Sequence, residues 1–454
     1  MEILGRCLNK LPSAVTGATV AIVGTVVLTN LLRIVSSAIL TRLLTASDYG
    51  VIGIITSITY ILVMLSDFGF FAFIVRHEHG DDPRFLDEVW TIRLLRAAGI
   101  TAALILLSGP MAAYSGKSLL APVIAVWSFN QLLDGFCSLA FAQAVRHGQV
   151  ARLSWMEFGI NFFQVLVSIG FGWWLHSYWA IVIAVLVSGF AKIIFSYALF
   201  PGSSRRLAFN RGRASEIWRF SRFIAGSSIL TLLLGQTDKV VLSRVFPLAL
   251  FGIYSIATLL ALAPKAIVYP YCTRVLYPAY SKRFREAALS GFSAVYYGRR
   301  RLVSLLYNFA IGGVIGIAPL FVAVLYDPRY AGVGPIFRIL SISGLLLLNN
   351  VGAEQAMIAT GRPQVSLHIN TVRFAWLAIV GFGGFVMFGP LGLIWAVGTM
   401  EVAAMLYSWF ALSRSGILNL REEAMALAAG GAGVAIGLMV VSAAAALGFY
   451  HPLG

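Results

Sequence analysis

The chain has 454 residues, 59% hydrophobic and 11% charged, with a formal net charge of +16. Soluble domains carry roughly 25% charged residues, so this chain cannot cover a water-exposed surface, and a soluble enzyme is excluded. The basic balance by itself would admit a nucleic-acid partner, but the placement of the bases along the chain excludes that as well.

A spanning helix needs roughly 20 apolar residues, because the hydrocarbon core is ~30 Å thick. Thirteen such segments are predicted, at 14–40, 50–73, 92–114, 119–144, 154–175, 178–199, 220–243, 250–272, 302–325, 333–358, 366–388, 391–413 and 423–449. The runs lack the alternation of barrel strands. The first is too long for a cleaved signal and carries no A-x-A site, so it reads as a signal anchor. With the amino terminus on the cytoplasmic side, 24 of the 34 Lys and Arg fall in inward segments and only Arg42, Lys117, Arg244 and Arg329 in outward ones. That is the positive-inside bias, and the inward bases face anionic lipid. Outward connections are short (41–49, 115–118, 176–177, 244–249, 326–332, 389–390), inward ones longer, notably 200–219 and 273–301, and none holds a soluble domain.

The chain repeats itself. Leu40-Thr41-Arg42-Leu43 and Tyr49-Gly50-Val51 recur as Leu242-Ser243-Arg244-Val245 and Phe251-Gly252-Ile253, 202 residues later. Gln149-Val150 recurs as Gln364-Val365 after 215, the longer 273–301 loop taking up the difference. Two units of six helices enter from the same side, which makes them parallel repeats with a cavity expected between them. The division expected is a lobe at 1–199, a cytoplasmic linker at 200–219, a second lobe at 220–413 and an extra helix within 414–454.

No P-loop, H-E-x-x-H or G-x-S-x-G occurs. Cys7, Cys137 and Cys272 are isolated, and the six histidines form no ligand set, so neither cofactor nor metal is expected. Charges inside the bilayer are the sharper signal, since each costs at least ~2.5 kcal/mol. Arg33, deep in the first segment, either faces a hydrated cavity, where it would grip a phosphate bidentately, or pairs with Asp67 or Asp134. Asp238 and Lys239 are adjacent and point about 100° apart; Asp238 either pairs across the cavity or holds a coupling proton or cation. Lys192 and Lys265 read as snorkelling bases or as anchors for an anionic headgroup. Arg338 and Arg373 are further cationic candidates. Arg93, Arg96, Arg222 and Arg299 to Arg301 stand at inward mouths. Glu401 needs a partner or a proton, and Glu157 is placed to pair with Arg152 or Arg222. Asn349 and Asn350 either bond sugar hydroxyls or join helices. Trp173, Trp174, Tyr178 and Trp179 read as an interfacial belt or as stacking platforms for sugars.

Several stretches together resemble a known family. Leu40 to Gly50, Ser66-Asp67-Phe68-Gly69-Phe70, Gln236 to Arg244 with Gly252-Ile253-Tyr254, Val275-Leu276-Tyr277-Pro278-Ala279-Tyr280-Ser281 and Leu325-Tyr326-Asp327-Pro328-Arg329-Tyr330 are similar, in order, to the polysaccharide transporters. These are the Wzx-type flippases of the multidrug/oligosaccharidyl-lipid/polysaccharide superfamily, and the resemblance covers about 15–415. It implies an all-α polytopic protein with two parallel six-helix lobes around a central cavity, here with a thirteenth helix. It implies alternating-access transport of an undecaprenyl-diphosphate-linked oligosaccharide across the bacterial inner membrane, driven by an ion gradient or the membrane potential. Its partners would be that lipid-linked sugar, anionic lipids, and polysaccharide polymerase and chain-length machinery. Two rival readings are a cation-coupled drug exporter on the same scaffold, which would show Asp67, Asp134 and Glu401 in the lumen and Arg33 buried elsewhere, and a membrane-embedded polymerase, which the short outward loops disfavour.

Overall fold

The computed structural model describes residues 13–66, 69–199 and 206–448, with the backbone alone for 13–23, 72 and 220–228. Every regular element among them is helical. In chain order they are α1 (Ser13–Leu43), α2 (Ala46–Leu65), α3 (Phe70–Arg76), α4 (Pro83–Ser115), α5 (Leu120–Phe136), α6 (Ala140–Arg146), α7 (Val150–Leu175) and α8 (Trp179–Ala198). There follow α9 (Arg211–Val245), α10 (Leu248–Leu262), α11 (Lys265–Tyr271), α12 (Tyr277–Ala287), α13 (Phe292–Leu325), α14 (Val333–Ala359), α15 (Gln364–Trp376), α16 (Phe382–Phe388), α17 (Pro390–Arg414) and α18 (Leu420–Ala446). Among the described residues eleven helical stretches are long and apolar enough to cross a membrane. α5 and α6 make a twelfth as a pair bent by 50°, and α9 covers the expected segment at 220–243.

Local chemistry sets the ends. Asp82 caps α4 by accepting from the Arg84 amide, ahead of Pro83 at the first helical position, and Asn419 caps α18 by accepting from the Arg421 and Glu422 amides. These side chains satisfy amides that have no partner within the helix. Between α16 and α17 the chain reverses at Gly389, whose φ of 64° and ψ of −150° suit only glycine.

The chain divides into two compact units, Met1–Leu44 with Val51–Leu232, and Thr45–Gly50 with Leu233–Gly454. The boundary thus falls inside α9. The first turn of α2 packs in the second unit, and there the repeated glycines explain themselves. A Cβ on Gly50 would collide with the Leu248 carbonyl, and one on Gly252 with the Ala46 carbonyl. Two helix starts 202 residues apart therefore touch backbone to backbone. Tyr49 adds an edge-on contact with Tyr330, ring centroids 5.9 Å apart.

The second unit also holds α18, which shares with α13 the most extensive helix pair interface among the described residues. Gly312 and Gly316 face Gly430, Val434 and Gly437, and Gly433 faces the Phe309 carbonyl, each too close for any Cβ. Small residues permit this approach in lipid, where packing rather than hydrophobicity holds helices together. Beside this ladder, Arg300 of α13 pairs with Glu423 of α18, both 2% exposed.

Candidate functional site

In the first unit, two helices stop short. α2 ends at Leu65, before Gly69 in the left-handed region starts α3; α5 ends at Phe136 and bends into α6. Each break exposes carbonyls that in lipid must find donors. α4 supplies both, because Arg93 and Arg96 lie about one turn apart. Arg96 donates to the Ser66 and Val63 carbonyls at 2.5 and 2.9 Å. Arg93 donates to the Asp134 carbonyl at 2.7 Å and the Cys137 carbonyl at 3.4 Å. These two bases, expected as anchors at inward mouths, are helix caps.

The Asp134 side chain is enclosed by cations. Oδ2 accepts from Arg93 at 2.8 Å and Oδ1 from Lys192 of α8 at 2.6 Å. Lys192 is therefore not a snorkelling base, and Asp134 is not the partner of Arg33. Asp134 and Lys192 stand in the wall of a cavity of about 410 Å³, lined also by Thr56, Thr59, Tyr60, Val63, Trp127, Asn130, Gln131 and Gly189. The α2 residues Thr56, Thr59, Tyr60 and Val63 and the α5 residues Trp127, Asn130, Gln131 and Asp134 share one spacing, i, i+3, i+4, i+7. Each set is one helix face. That polar stripe on apolar helices was the sequence signal for the cavity; only Asp134 in it was singled out, because attention to charge passes over neutral amides.

The second unit holds further pairs. Arg373 of α15 donates to Glu401 of α17 at 2.8 Å, and Asn350 of α14 donates to the same carboxylate at 2.6 Å and to the Glu401 carbonyl at 2.9 Å. Arg373, Glu401 and Asn350 are buried, so Asn350 joins helices. Asn349 is buried too, and its carbonyl accepts from Arg300 at 3.5 Å. Asp238 is buried and accepts from the Tyr254 hydroxyl, a partner 16 residues on.

Arg338 has a local explanation. Pro319 in α13 has no N–H, which leaves the carbonyl four residues earlier, Ile315, without its helical donor. Arg338 donates to the Ile315 and Gly316 carbonyls at 3.1 and 3.0 Å. Its donors are thereby engaged in holding α14 to α13.

Three further candidate cations inside spanning segments have no carboxylate among the described residues. Arg33 is exposed on α1 with no partner among the described residues. Among the described residues Lys239 reaches the Gly235 carbonyl alone, at 3.4 Å. Lys265 is exposed and lies 5.3 Å from the Tyr269 ring centre. Glu157, expected to pair with Arg152 or Arg222, is exposed and makes no ion pair among the described residues; Arg152 donates to the Leu199 carbonyl at 2.6 Å. Asp67 and the Arg222 side chain lie outside the described residues. Trp173 and Trp174 are about three-quarters exposed, as a lipid-facing belt requires.

At one end of the first unit, Arg146 donates to the Val75 and His77 carbonyls, at 3.2 and 2.5 Å, and to Asp81 at 2.9 Å, while His147 meets the other Asp81 oxygen at 2.9 Å. Some desolvation of Asp81 raises its pKa, but the hydrogen bonds from His147 and Arg146 outweigh it and hold the carboxyl below its usual value. Nearby Arg213 of α9 pairs with Glu88 at 3.2 Å and Glu216 at 2.5 Å, and lies 4.5 Å over the Phe85 ring. Ala208 donates to Thr91 at 2.9 Å, so the described end of the 200–219 linker is bound to α4.

The family described as "Polysaccharide biosynthesis protein" matches residues 39–335. The chain is 22% identical over 411 residues, 88% of its length and 80% of the relative's, to the lipopolysaccharide biosynthesis protein WzxC of Escherichia coli K12. It is 22% identical over 391 residues, 83% and 76% respectively, to the succinoglycan biosynthesis transport protein ExoT of Rhizobium meliloti 1021. Among solved structures it resembles the lipid II flippase MurJ in an inward closed conformation, with TM-score 0.69 and 11% identity over 96% of this chain and 93% of that one. It also resembles an inward-facing multidrug resistance MATE family transporter of the MOP superfamily, with TM-score 0.62 and 12% identity over 87% and 95%. The structural likenesses concern the fold alone.

Proposed function

Because the chain belongs to the polysaccharide biosynthesis protein family, within the multidrug/oligosaccharidyl-lipid/polysaccharide superfamily, we propose that it is a flippase. Its cargo would be an undecaprenyl-diphosphate-linked oligosaccharide, moved across the bacterial inner membrane by alternating access for exopolysaccharide, capsule or O-antigen synthesis. In this reading two parallel six-helix lobes enclose the headgroup, the lipid tail stays in the bilayer, and the amino terminus is cytoplasmic.

The observation that carries the proposal is the division among the intramembrane cations. Lys192 and Arg373 have carboxylates, and Arg338 has carbonyls. Among the described residues Arg33, Lys239 and Lys265 have neither carboxylate nor comparable carbonyl cap, and an unpaired charge in the bilayer is costly unless it meets water or an anion. A lipid diphosphate supplies that anion, and the planar guanidinium of Arg33 suits its oxygens. The drug-exporter alternative would place Asp67, Asp134 and Glu401 in the lumen with Arg33 buried elsewhere. Asp134 does line the first unit's cavity and Asp67 lies outside the described residues, but Asp134 and Glu401 already hold cations, Glu401 is buried and Arg33 is exposed, which weighs against it.

Export of surface polysaccharide in a strain carrying Arg33→Ala tests the reading. Export is expected to fall at least tenfold at normal membrane abundance, with Arg33→Lys intermediate because a lysine holds phosphate as a point charge. Full export by Arg33→Ala at normal abundance would refute the role of Arg33.

A further inference from the structure

We propose that the first unit's cavity is a site for a neutral sugar ring, the part of the cargo that the cations do not address. This rests on the flippase reading and adds to it where the sugar is held.

Several hydrogen-bonding groups around the cavity have no partner among the described residues. Thr59 is 6% exposed, and its hydroxyl is buried without a hydrogen bond among the described residues. The half-buried Asn130 and Gln131 and the exposed Tyr60 also line the cavity, and none of their side chains bonds to another side chain or carbonyl among the described residues. Leaving such groups unmatched in a low-dielectric setting costs free energy, so their concentration in one wall calls for a ligand or water that matches them. An amide carries both donors and acceptors, and a hydroxyl carries one donor and two acceptors. Together they match a polyol, whose hydroxyls also do both.

The aromatic lining points the same way. Trp127 and Tyr60 line the same cavity; Tyr60, an exposed ring, has an electron-rich face that suits the polarised C–H face of a pyranose, while Trp127 is largely buried behind the lining. Room is provided by Gly189 on α8: a Cβ there would lie 3.2 Å from Asn130 Oδ1 and 3.0 Å from Leu133. A larger residue would displace the amide. The volume, about 410 Å³, lies in the ~300–1,000 Å³ range of small-ligand sites.

Charge disfavours a coupling cation, which would need the Asp134 carboxylate: its two oxygens accept from Arg93 and Lys192, and the three groups together leave the wall net positive. An anion could take the N–H donors that Lys192 does not give to Asp134, but most polar groups in the lining, Asn130, Gln131 and Tyr60 among them, are neutral. The lining as a whole fits a hydroxyl-rich ligand better than a diphosphate.

The test uses purified protein in nanodiscs of phosphatidylethanolamine and phosphatidylglycerol, which avoids sugar-headed detergents. Two probes divide the cargo: the oligosaccharide released by mild acid from the producing strain's own lipid-linked repeats, and farnesyl diphosphate. The oligosaccharide is expected to bind saturably and to quench tryptophan fluorescence, with the quench lost in Trp127→Phe. Its Kd is expected to rise at least tenfold in Asn130→Ala/Gln131→Ala, while farnesyl diphosphate binding, which also reports that the variant is folded, stays within twofold. Thr59→Val, which keeps the side chain's shape, is a second and milder variant, expected to weaken the oligosaccharide several-fold. Unchanged oligosaccharide affinity in these variants overturns the sugar site, as does wild-type protein that binds farnesyl diphosphate but not the oligosaccharide; both leave the flippase reading standing. Wild-type protein that binds neither probe overturns both.

Discussion

Glu423→Leu removes one partner of the most deeply buried ion pair in the second unit. Arg300 would then stand buried without its carboxylate, its remaining contacts among the described residues being the Tyr296 and Tyr297 rings, 4.2 and 5.1 Å from its guanidinium, and the long bond to the Asn349 carbonyl. Its Nε is already buried without a partner, so the site has no spare acceptor to replace Glu423. Breaking a buried pair from one side costs about 3–5 kcal/mol. Three of those correspond to a factor of roughly 150 in the equilibrium. Arg300→Met/Glu423→Leu removes both charges and fills much of the volume, and such replacements are often neutral or stabilising; the double variant should therefore be more stable than Glu423→Leu alone. Glu423→Gln, which can still accept from the Tyr297 hydroxyl that lies 3.1 Å from Glu423 Oε1, should fall between. Reversible unfolding in mixed micelles, followed by tryptophan fluorescence, measures all four proteins on one scale. A Glu423→Leu protein within about 1 kcal/mol of the wild type, or a double variant no better than the single, would refute the assignment of this pair as a coupled buried unit.

Two further predictions follow from local geometry. Gly433→Leu, whose Cβ would strike the Phe309 carbonyl, should force α18 from α13 and lower the unfolding free energy by about 1–3 kcal/mol or more. Gly431→Leu, two residues away with open space at its Cβ, should be within about 0.5 kcal/mol of wild type in the same assay. The Asp81 clasp has a pH sign: a carboxyl whose folded pKa is depressed stabilises above its unfolded value and loses that contribution as pH falls through the folded one. Protease protection of the 77–82 loop should hold at neutral pH and decline as pH drops below about 4, the ordinary aspartate range, and Asp81→Asn should be less protected at neutral pH.

Much of the fold was legible because the bilayer imposes one length on every span. The repeated Gly50 and Gly252 were legible as a repeat, though spacing alone did not reveal that each makes room for the other's helix start. The bends were harder. Nothing in the run 119–144 announces the turn after Phe136, and the reason it is tolerated, Arg93, sits on another helix. Partner choice was hardest. Arg338, Arg373, Lys192 and Arg33 are all bases in apolar runs, and the sequence names a partner for none of Arg338, Arg373 and Lys192. What separates them is tertiary: a proline-freed carbonyl for Arg338, Glu401 for Arg373, Asp134 for Lys192, and no partner among the described residues for Arg33.

The thirteenth helix shows the same limit from the other side. Counted along the sequence, it stands apart from two sets of six. In the second unit it is a packed member, with a glycine ladder on α13 and Glu423 buried against Arg300. These two features are interdependent. The ladder lets the backbones approach closely enough to exclude lipid, and the ion pair fixes which turn of α18 meets which turn of α13. A ladder of small residues alone tolerates sliding by a turn, because the same spacing recurs; the pair does not, since a one-turn shift of ~5.4 Å would part Glu423 from both Arg300 and Tyr297. Register, rather than net stability, is therefore what the buried charges supply here.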